Sequence, residues 1–460
     1  MSSHPALPRI AAFFACLAIL LAPAMWNGFP FLFHDSGAYL DAFADWYLSP
    51  GRSALYGMLL FFGQWPDFWP AAILQAGLSI WVISLALRVF DLDRPLILVA
   101  MVALLSIFTA LPWLAGYLMP DLFAGLAVIA VWLIVFHAGR FSRREYKCLI
   151  AFAAYAAAIH SASYAVLLAL FAATVLAHFL LSRSVRIRLR GFATVLALGA
   201  GLVFLTNFAV SIDSAWPPNG QLTWTPGGTG FVFGRLVEDG IAERYLQEHC
   251  PDARLKLCEY RDGLTRPANH FLWDPVSPFR KIGGFEGGAR EMRAIILGSL
   301  RAYPLLHMKT AARATLRQLV HIETGDGIRN DVSFAYTQIA AHSPHALSHA
   351  LQARQAKNSL SFDALNRLHV PAGLASILVL FLFAAVSLVR KQSDELALMA
   401  MTFTLAILAN AFVCGVFSNV QNRYGSRIAW LAVFFVAIVV LRRFSRRQPR
   451  PESSSTLPAP

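Results

Sequence analysis

Apolar runs of about 18 residues or more recur along this chain, and each matches the length of helix that crosses a hydrocarbon core roughly 30 Å thick. Only 14% of the 460 residues are charged and 57% are hydrophobic. A soluble domain carries about a quarter charged residues. The surplus apolar surface therefore faces lipid. The chain reads as an all-α, polytopic membrane helix bundle. That excludes a soluble enzyme, a disordered chain and a secreted disulfide scaffold.

Ten spans are predicted, at 10–26, 70–88, 95–112, 121–138, 147–160, 164–182, 191–212, 371–389, 396–417 and 428–442. The fifth is short and shares one run with the sixth, which makes them a tight hairpin or leaves one reaching only partway. The loops alternate in charge. One side holds Arg9, Arg88 and Arg94, the Arg140–Lys147 and Arg183–Arg190 clusters, Arg390 and Lys391, and Arg442 to Arg450, eighteen basic residues in all. The short loops opposite hold only Arg52, Arg423 and Arg427. By the positive-inside rule the eighteen are cytoplasmic, so both termini are inside. The loop at 213–370 is too long to vote, because long loops translocate largely regardless of charge. By alternation it is a large extracytoplasmic insertion. The net charge of +13 is then mainly a topology signal, and no nucleic-acid partner is expected.

Four regions follow: a seven-helix membrane core at 1–212, the extracytoplasmic loop domain at 213–370, three C-terminal spans at 371–442, and a disordered cytoplasmic tail at 443–460. Ala22-Pro23-Ala24 resembles a signal cleavage site. With little positive charge before it, the first helix reads instead as an uncleaved anchor. Cys16, Cys148 and Cys414 lie in apolar runs. Cys250 and Cys258 sit eight apart in the polar loop, where an oxidising compartment would join them and a reducing one would not.

Unusual polar residues collect on the outer side. Asp35, in FLFHDSGAYL, follows the first helix closely, where a carboxylate is costly unless paired or used. Alternatively Asp35 or Ser36 caps a short helix at 37–46, with Asp41 and Asp45 on its solvated face. Asp121, in MPDLFAGLAV, opens the fourth span. Capping chemistry explains it, and so does a shared site with Asp35 at similar depth. His160, Ser161 and Ser163 form the tip of the fifth–sixth hairpin, where the histidine is structural, shuttles a proton or binds phosphate. Arg423 and Arg427, with Tyr424, stand between the last two spans against the positive-inside bias. Either a carboxylate such as Asp35 or Asp121 pairs with them, or a phosphorylated ligand does. Arg52, in SPGRSALYGMLL, contacts phosphate or snorkels to headgroups.

In the long loop, GGTGFVFG lacks the Lys-Ser/Thr ending of a phosphate loop and is set aside. Helices are predicted at 231–249, 288–302 and 304–322. The last is amphipathic, lying in the interface or docked over the polar face. His342, His345 and His349 have helical spacing, but Pro344 interrupts them and no carboxylate or cysteine is fixed beside them in sequence. They read as a solvated segment, not a zinc site.

The placing of Asp35, of Gly51-Arg52-Ser53-Ala54-Leu55-Tyr56 before the second span, and of Asp121 in the next outer loop resembles the glycosyltransferase-C superfamily, over residues 1–212. The layout also resembles a group of uncharacterised bacterial membrane proteins. The superfamily resemblance implies an enzyme of the bacterial inner membrane that takes sugar from a polyprenyl-phosphate carrier on the outer face. Asp35, His34 and Asp121 would then be catalytic. Arg52, His160, Arg423, Tyr424 and Arg427 would bind substrate. The partners would be a lipid-linked sugar donor, a glycan or lipid acceptor and membrane lipids. No cofactor and no metal site is assigned. His34-Asp35 stands where the superfamily often has two acids, which leaves a divalent metal open. A transporter or flippase for a lipid-linked or anionic substrate, a ligase of lipid-linked glycans and a non-catalytic envelope assembly protein are the other readings. Depth separates enzyme from transporter, since transporters place polar groups near the midplane.

Overall fold

The computed structural model describes residues 6–181, 187–213, 224–264, 267–328 and 331–447. Arg183 and Arg186, the Trp216–Gly220 stretch and the tail from 448 lie outside the described residues. The rest is helical, with one isolated bridge between Phe31 and Tyr117 and no strand among the described residues. Before the long loop come α1 (Ala6–Asn27), α2 (His34–Ala44), α3 (Ala54–Phe62), α4 (Trp69–Val89), α5 (Pro95–Phe108), α6 (Leu111–Ala115), α7 (Asp121–Phe136), α8 (Arg143–Ala158), α9 (Ser161–Leu181) and α10 (Leu189–Asp213). The intervening segment contributes α11 (Gly228–Glu238), α12 (Ile241–His249), α13 (Ala268–Trp273), α14 (Pro278–Lys281), α15 (Gly284–Gly287), α16 (Ala289–Ala302), α17 (Pro304–Val320), α18 (Ser333–His342) and α19 (Pro344–Gln352). Then α20 (Asp363–Val389), α21 (Glu395–Phe417) and α22 (Asn422–Arg447) close the chain.

Among the described residues seven helices are long and apolar enough to cross a membrane: α1, α4, α9, α10, α20, α21 and α22. This is a membrane protein. The other three expected spans are helices too, but short. α5 has 14 residues and α7 and α8 have 16 each. At 1.5 Å per residue they reach about 21–24 Å. The fifth–sixth hairpin is as tight as expected, with only Ile159 and His160 between α8 and α9.

Local chemistry sets the boundaries. Ser142 and Glu145 form a reciprocal capping box at the start of α8. Asp394 caps α21 by accepting from the Ala397 N–H at 2.9 Å. α7 is apolar all round and buried from Asp121 to Val135, as a helix without a polar face must be. It runs at the centre of the bundle, against α4, α8, α21 and α22. Gly125 lets Trp430 of α22 lie on it, since a Cβ there would be 2.7 Å from the indole Nε1.

The intervening segment folds over one end of the bundle. α11 to α16 share a small core of Phe233, Ile241, Leu246, Phe271, Phe279, Met292 and Ile295. Cys250 and Cys258 are joined by a disulfide. α17 docks along α21 and α22 through Ala314 and Gln318, while Leu305, Met308 and Leu316 stay exposed. α18 lies on α2 at Gly37, where a Cβ would be 2.8 Å from the Ala335 Cα.

Two local expectations change. α2 starts at His34, three residues earlier than read from sequence. Ser36 Oγ accepts from the Phe33 N–H at 2.9 Å and donates to the Leu118 carbonyl at 2.9 Å. Ser36 thus serves the helix start, and Asp35 is left free of capping duty. The three histidines do not share a face, because the helix breaks at Ser343-Pro344. His342 faces Asp41 and Asp45 at 3.5 and 3.7 Å, and His349 contacts Asp67 at 2.9 Å. His345 Nε2 lies 3.3 Å from the Gln64 carbonyl.

Candidate functional site

The first turn of α2 carries Asp35. Gly51, at φ +73°, has the left-handed conformation that turns the chain back so that Arg52 faces it. Arg52 donates a charge-assisted hydrogen bond from Nη2 to Asp35 Oδ1 and another from Nη1 to the Pro50 carbonyl at 2.6 Å. Its guanidinium also stands 5.4 Å from the centroid of the Trp273 ring. Burial pushes the Asp35 carboxyl up. The charges of Arg52 and Arg423 outweigh burial and hold it below the usual carboxylate range.

Arg423, in the first turn of α22, lines the same space. Its backbone N–H donates to Asp326 Oδ2 at 2.9 Å. Its guanidinium lies 4.3 Å from the Phe33 ring and 5.0 Å from the Tyr424 ring. Between these groups and the α11–α15 unit lies a cavity of about 1020 Å³. His34, Asp35, Arg52, Asp326, Arg423 and Tyr424 line it on the bundle side. His34 also stacks on Phe334 at 4.9 Å.

A second tier of charge lies beneath and does not line the cavity. Asp121 is 1% exposed and Arg427 0%. Asp121 Oδ1 is 3.6 Å from Arg427 Nη1, and Oδ2 is 3.7 Å from Arg423 Nη1. Arg427 is fixed by Asn410, whose Oδ1 accepts from Nε at 3.1 Å and from Nη2 at 2.8 Å. His160 Nδ1 stands 3.5 Å from Arg427 Nη1. One carboxylate thus faces two arginines, Arg427 buried and Arg423 reaching the cavity, without hydrogen-bonding either, and both its oxygens and Arg423 Nη1 lack a hydrogen-bond partner.

All eight residues singled out from sequence gather in one region. Asp35, His34, Arg52, Arg423 and Tyr424 form the cavity tier, and Asp121, Arg427 and His160 the enclosed tier. Sequence reading missed Asp326, Trp273 and Asn410. An amide inside an apolar span, as in LAILANAFVCG, is a readable signal for Asn410. Asp326 and Trp273 sit in a loop whose fold no periodicity announces. Gln75, buried in the first third of α4, was also missed. It donates to the Ala115 and Tyr117 carbonyls at 3.1 and 3.0 Å and accepts from Tyr56 Oη at 2.8 Å, so it shapes the segment that delivers Asp121.

Asp41, Asp45 and His342 bring donor atoms within 4.8 Å of one another. Among the described residues no such group includes Asp35 or Asp121. The cavity wall presents a partly exposed carboxylate, Asp35, paired with Arg52, with Arg423 lining the same space. Comparison with protein-family models, with curated proteins and with solved structures gives no match, so the chemistry of this chain rests on its own geometry.

Proposed function

We propose that this chain is a membrane glycosyltransferase that moves a sugar from a polyprenyl-phosphate carrier to an envelope acceptor on the extracytoplasmic face. The observation that carries the reading is Asp35, held between Arg52 and Arg423 on the wall of a cavity of about 1020 Å³ at one end of the bundle. The topology proposed with it has ten spans, three of them short, both termini in the cytoplasm of a bacterial cell and residues 213–370 outside. The basic bias of the opposite loops supports it, as does the Cys250–Cys258 disulfide, which persists in an oxidising compartment.

The ion pair suggests how the reaction is timed. Paired with Arg52, Asp35 is neutralised and is a weak base. A carrier phosphate that draws Arg52 away removes that neutralising charge and raises the basicity of Asp35. Asp35 then takes the proton of the acceptor hydroxyl. The hydroxyl oxygen bonds to the anomeric carbon as the bond from that carbon to the phosphate oxygen breaks, with inversion. Arg423 stabilises the charge left on the polyprenyl phosphate. His34 tunes Asp35. Asp121, Arg427 and His160 hold Arg423 in place from below. The cluster of polar groups at one end, in place of a midplane site on broken helices, favours the enzyme over a transporter.

The test is binding of undecaprenyl phosphate to the full chain in nanodiscs, with sugar transfer measured alongside. Asp35→Asn should keep binding and lose transfer by a factor of about 10²–10⁴. Arg423→Ala should lose binding. If the wild type does not bind the lipid, the carrier reading is wrong and the transporter or assembly reading takes its place.

A further inference from the structure

The wall of the cavity opposite Asp35 carries chemistry that the donor half of this reaction does not use. Trp273, the last residue of α13, leaves 41% of its surface open while its neighbours Phe271 and Leu272 are buried. Its ring stands against Phe231 and Phe285 at centroid distances of 6.2 and 5.7 Å, which fix the indole plane. On the same wall Asn269 and Asn419 present their amides to the cavity, joined by a hydrogen bond of 2.9 Å. Arg280 and Glu286 add one charge of each sign.

A flat apolar face beside planar amides, without net charge, matches a pyranose ring. Such a ring offers C–H bonds on one face and hydroxyls at its edge. An acyl chain would leave the amide groups that their mutual hydrogen bond does not use, such as the Asn269 N–H donors, without a partner, which is costly. A second phosphate would meet Arg280 together with the Glu286 carboxylate, while Arg52 is already paired with Asp35. The Arg52 guanidinium, 5.4 Å from the Trp273 centroid, ties this platform directly to Asp35. The cavity, at about 1020 Å³, is at the upper end of small-molecule sites and has room for donor head and acceptor together.

We infer that Trp273 is the stacking platform for the acceptor and that the acceptor is a neutral saccharide. The inference rests on reading the cavity as a glycosyl-transfer site, and it chooses the glycan over the lipid acceptor. The experiment is saturation-transfer NMR on the full chain in nanodiscs, which carry no sugar headgroups. The probes are methyl α-glucoside, methyl α-mannoside, methyl β-galactoside and N-acetylglucosamine, and undecaprenyl phosphate binding is measured in parallel. At least one sugar should receive saturation at its ring protons. Trp273→Ala should weaken that sugar about tenfold, the scale of one aromatic stacking contact. Trp273→Phe should stay within about threefold of wild type. Both variants should bind undecaprenyl phosphate as wild type does, which also shows that they fold. The platform is overturned if no sugar in the panel binds, or if Trp273→Ala binds it as well as wild type does. Sugar binding through Trp273 without affinity for undecaprenyl phosphate would overturn the transferase reading and leave the platform in place.

Discussion

Asp35 carries its charge where burial alone would neutralise it, and the sign of its pH dependence follows. Its folded carboxyl lies below the unfolded value of about 3.9. The stabilisation is therefore fully present above that value and is lost as pH falls through the folded one. The gap in thermal stability between wild type and Asp35→Asn in nanodiscs should stay constant from about pH 7 to pH 5 and close only below about pH 4. Asp121 predicts a different loss. Its removal leaves Arg427 buried without a carboxylate, so Asp121→Ala should cost about 3–5 kcal/mol of stability, read as a lowered unfolding midpoint. At this scale the sequence exposed the charges and offered Asp35 or Asp121 as partners, without choosing between them. Arg423 and Arg427 announced themselves by standing against the charge bias. Which carboxylate each one faces depends on helix rotation and depth, which a linear pattern does not encode.

Glycines decide how the short helices meet. Gly57 of α3 lies so close to α2 that a Cβ would be 1.9 Å from the Tyr39 carbonyl oxygen and 2.9 Å from the Phe43 Cβ. Gly57→Ala should push α2 off α3 at a cost of about 1–3 kcal/mol and separate Asp35 from Arg52. Undecaprenyl phosphate binding should then fall in nanodiscs even though no cavity residue has changed. The spans were legible because length and hydropathy alone define them. The break at Pro344 was legible because proline removes a backbone donor and favours a helix start, although α1 and α20 run on through Pro23 and Pro371. The start of α2 was not, since Ser36 reaches Leu118 across 82 residues. The fate of the histidines was hidden for the same reason. His349 and Asp67 are 282 positions apart, and only the folding of α19 against the segment before α4 brings them together.

At the scale of the whole molecule the proposed topology makes a labelling prediction. In a Cys148→Ser background, Asp262→Cys should react with a membrane-impermeant maleimide added to intact cells, and Asp91→Cys only after the membrane is opened. Reaction of both from outside, or of neither, would contradict the ten-span arrangement. Length and composition revealed the membrane bundle and the short fifth helix, but not that α5 and α7 would be short as well. That shortness changes the surroundings of the protein as well as its interior. In the proposed topology the 14 residues of α5 offer lipid a hydrophobic wall about 9 Å lower than the bilayer core, and a bilayer answers such a mismatch by thinning. In the proposed orientation the headgroup plane dips toward the level of Asp121. A carrier lipid diffusing past this flank would be lowered to the depth of the chemistry by the contour of the membrane, without being lifted out of its leaflet.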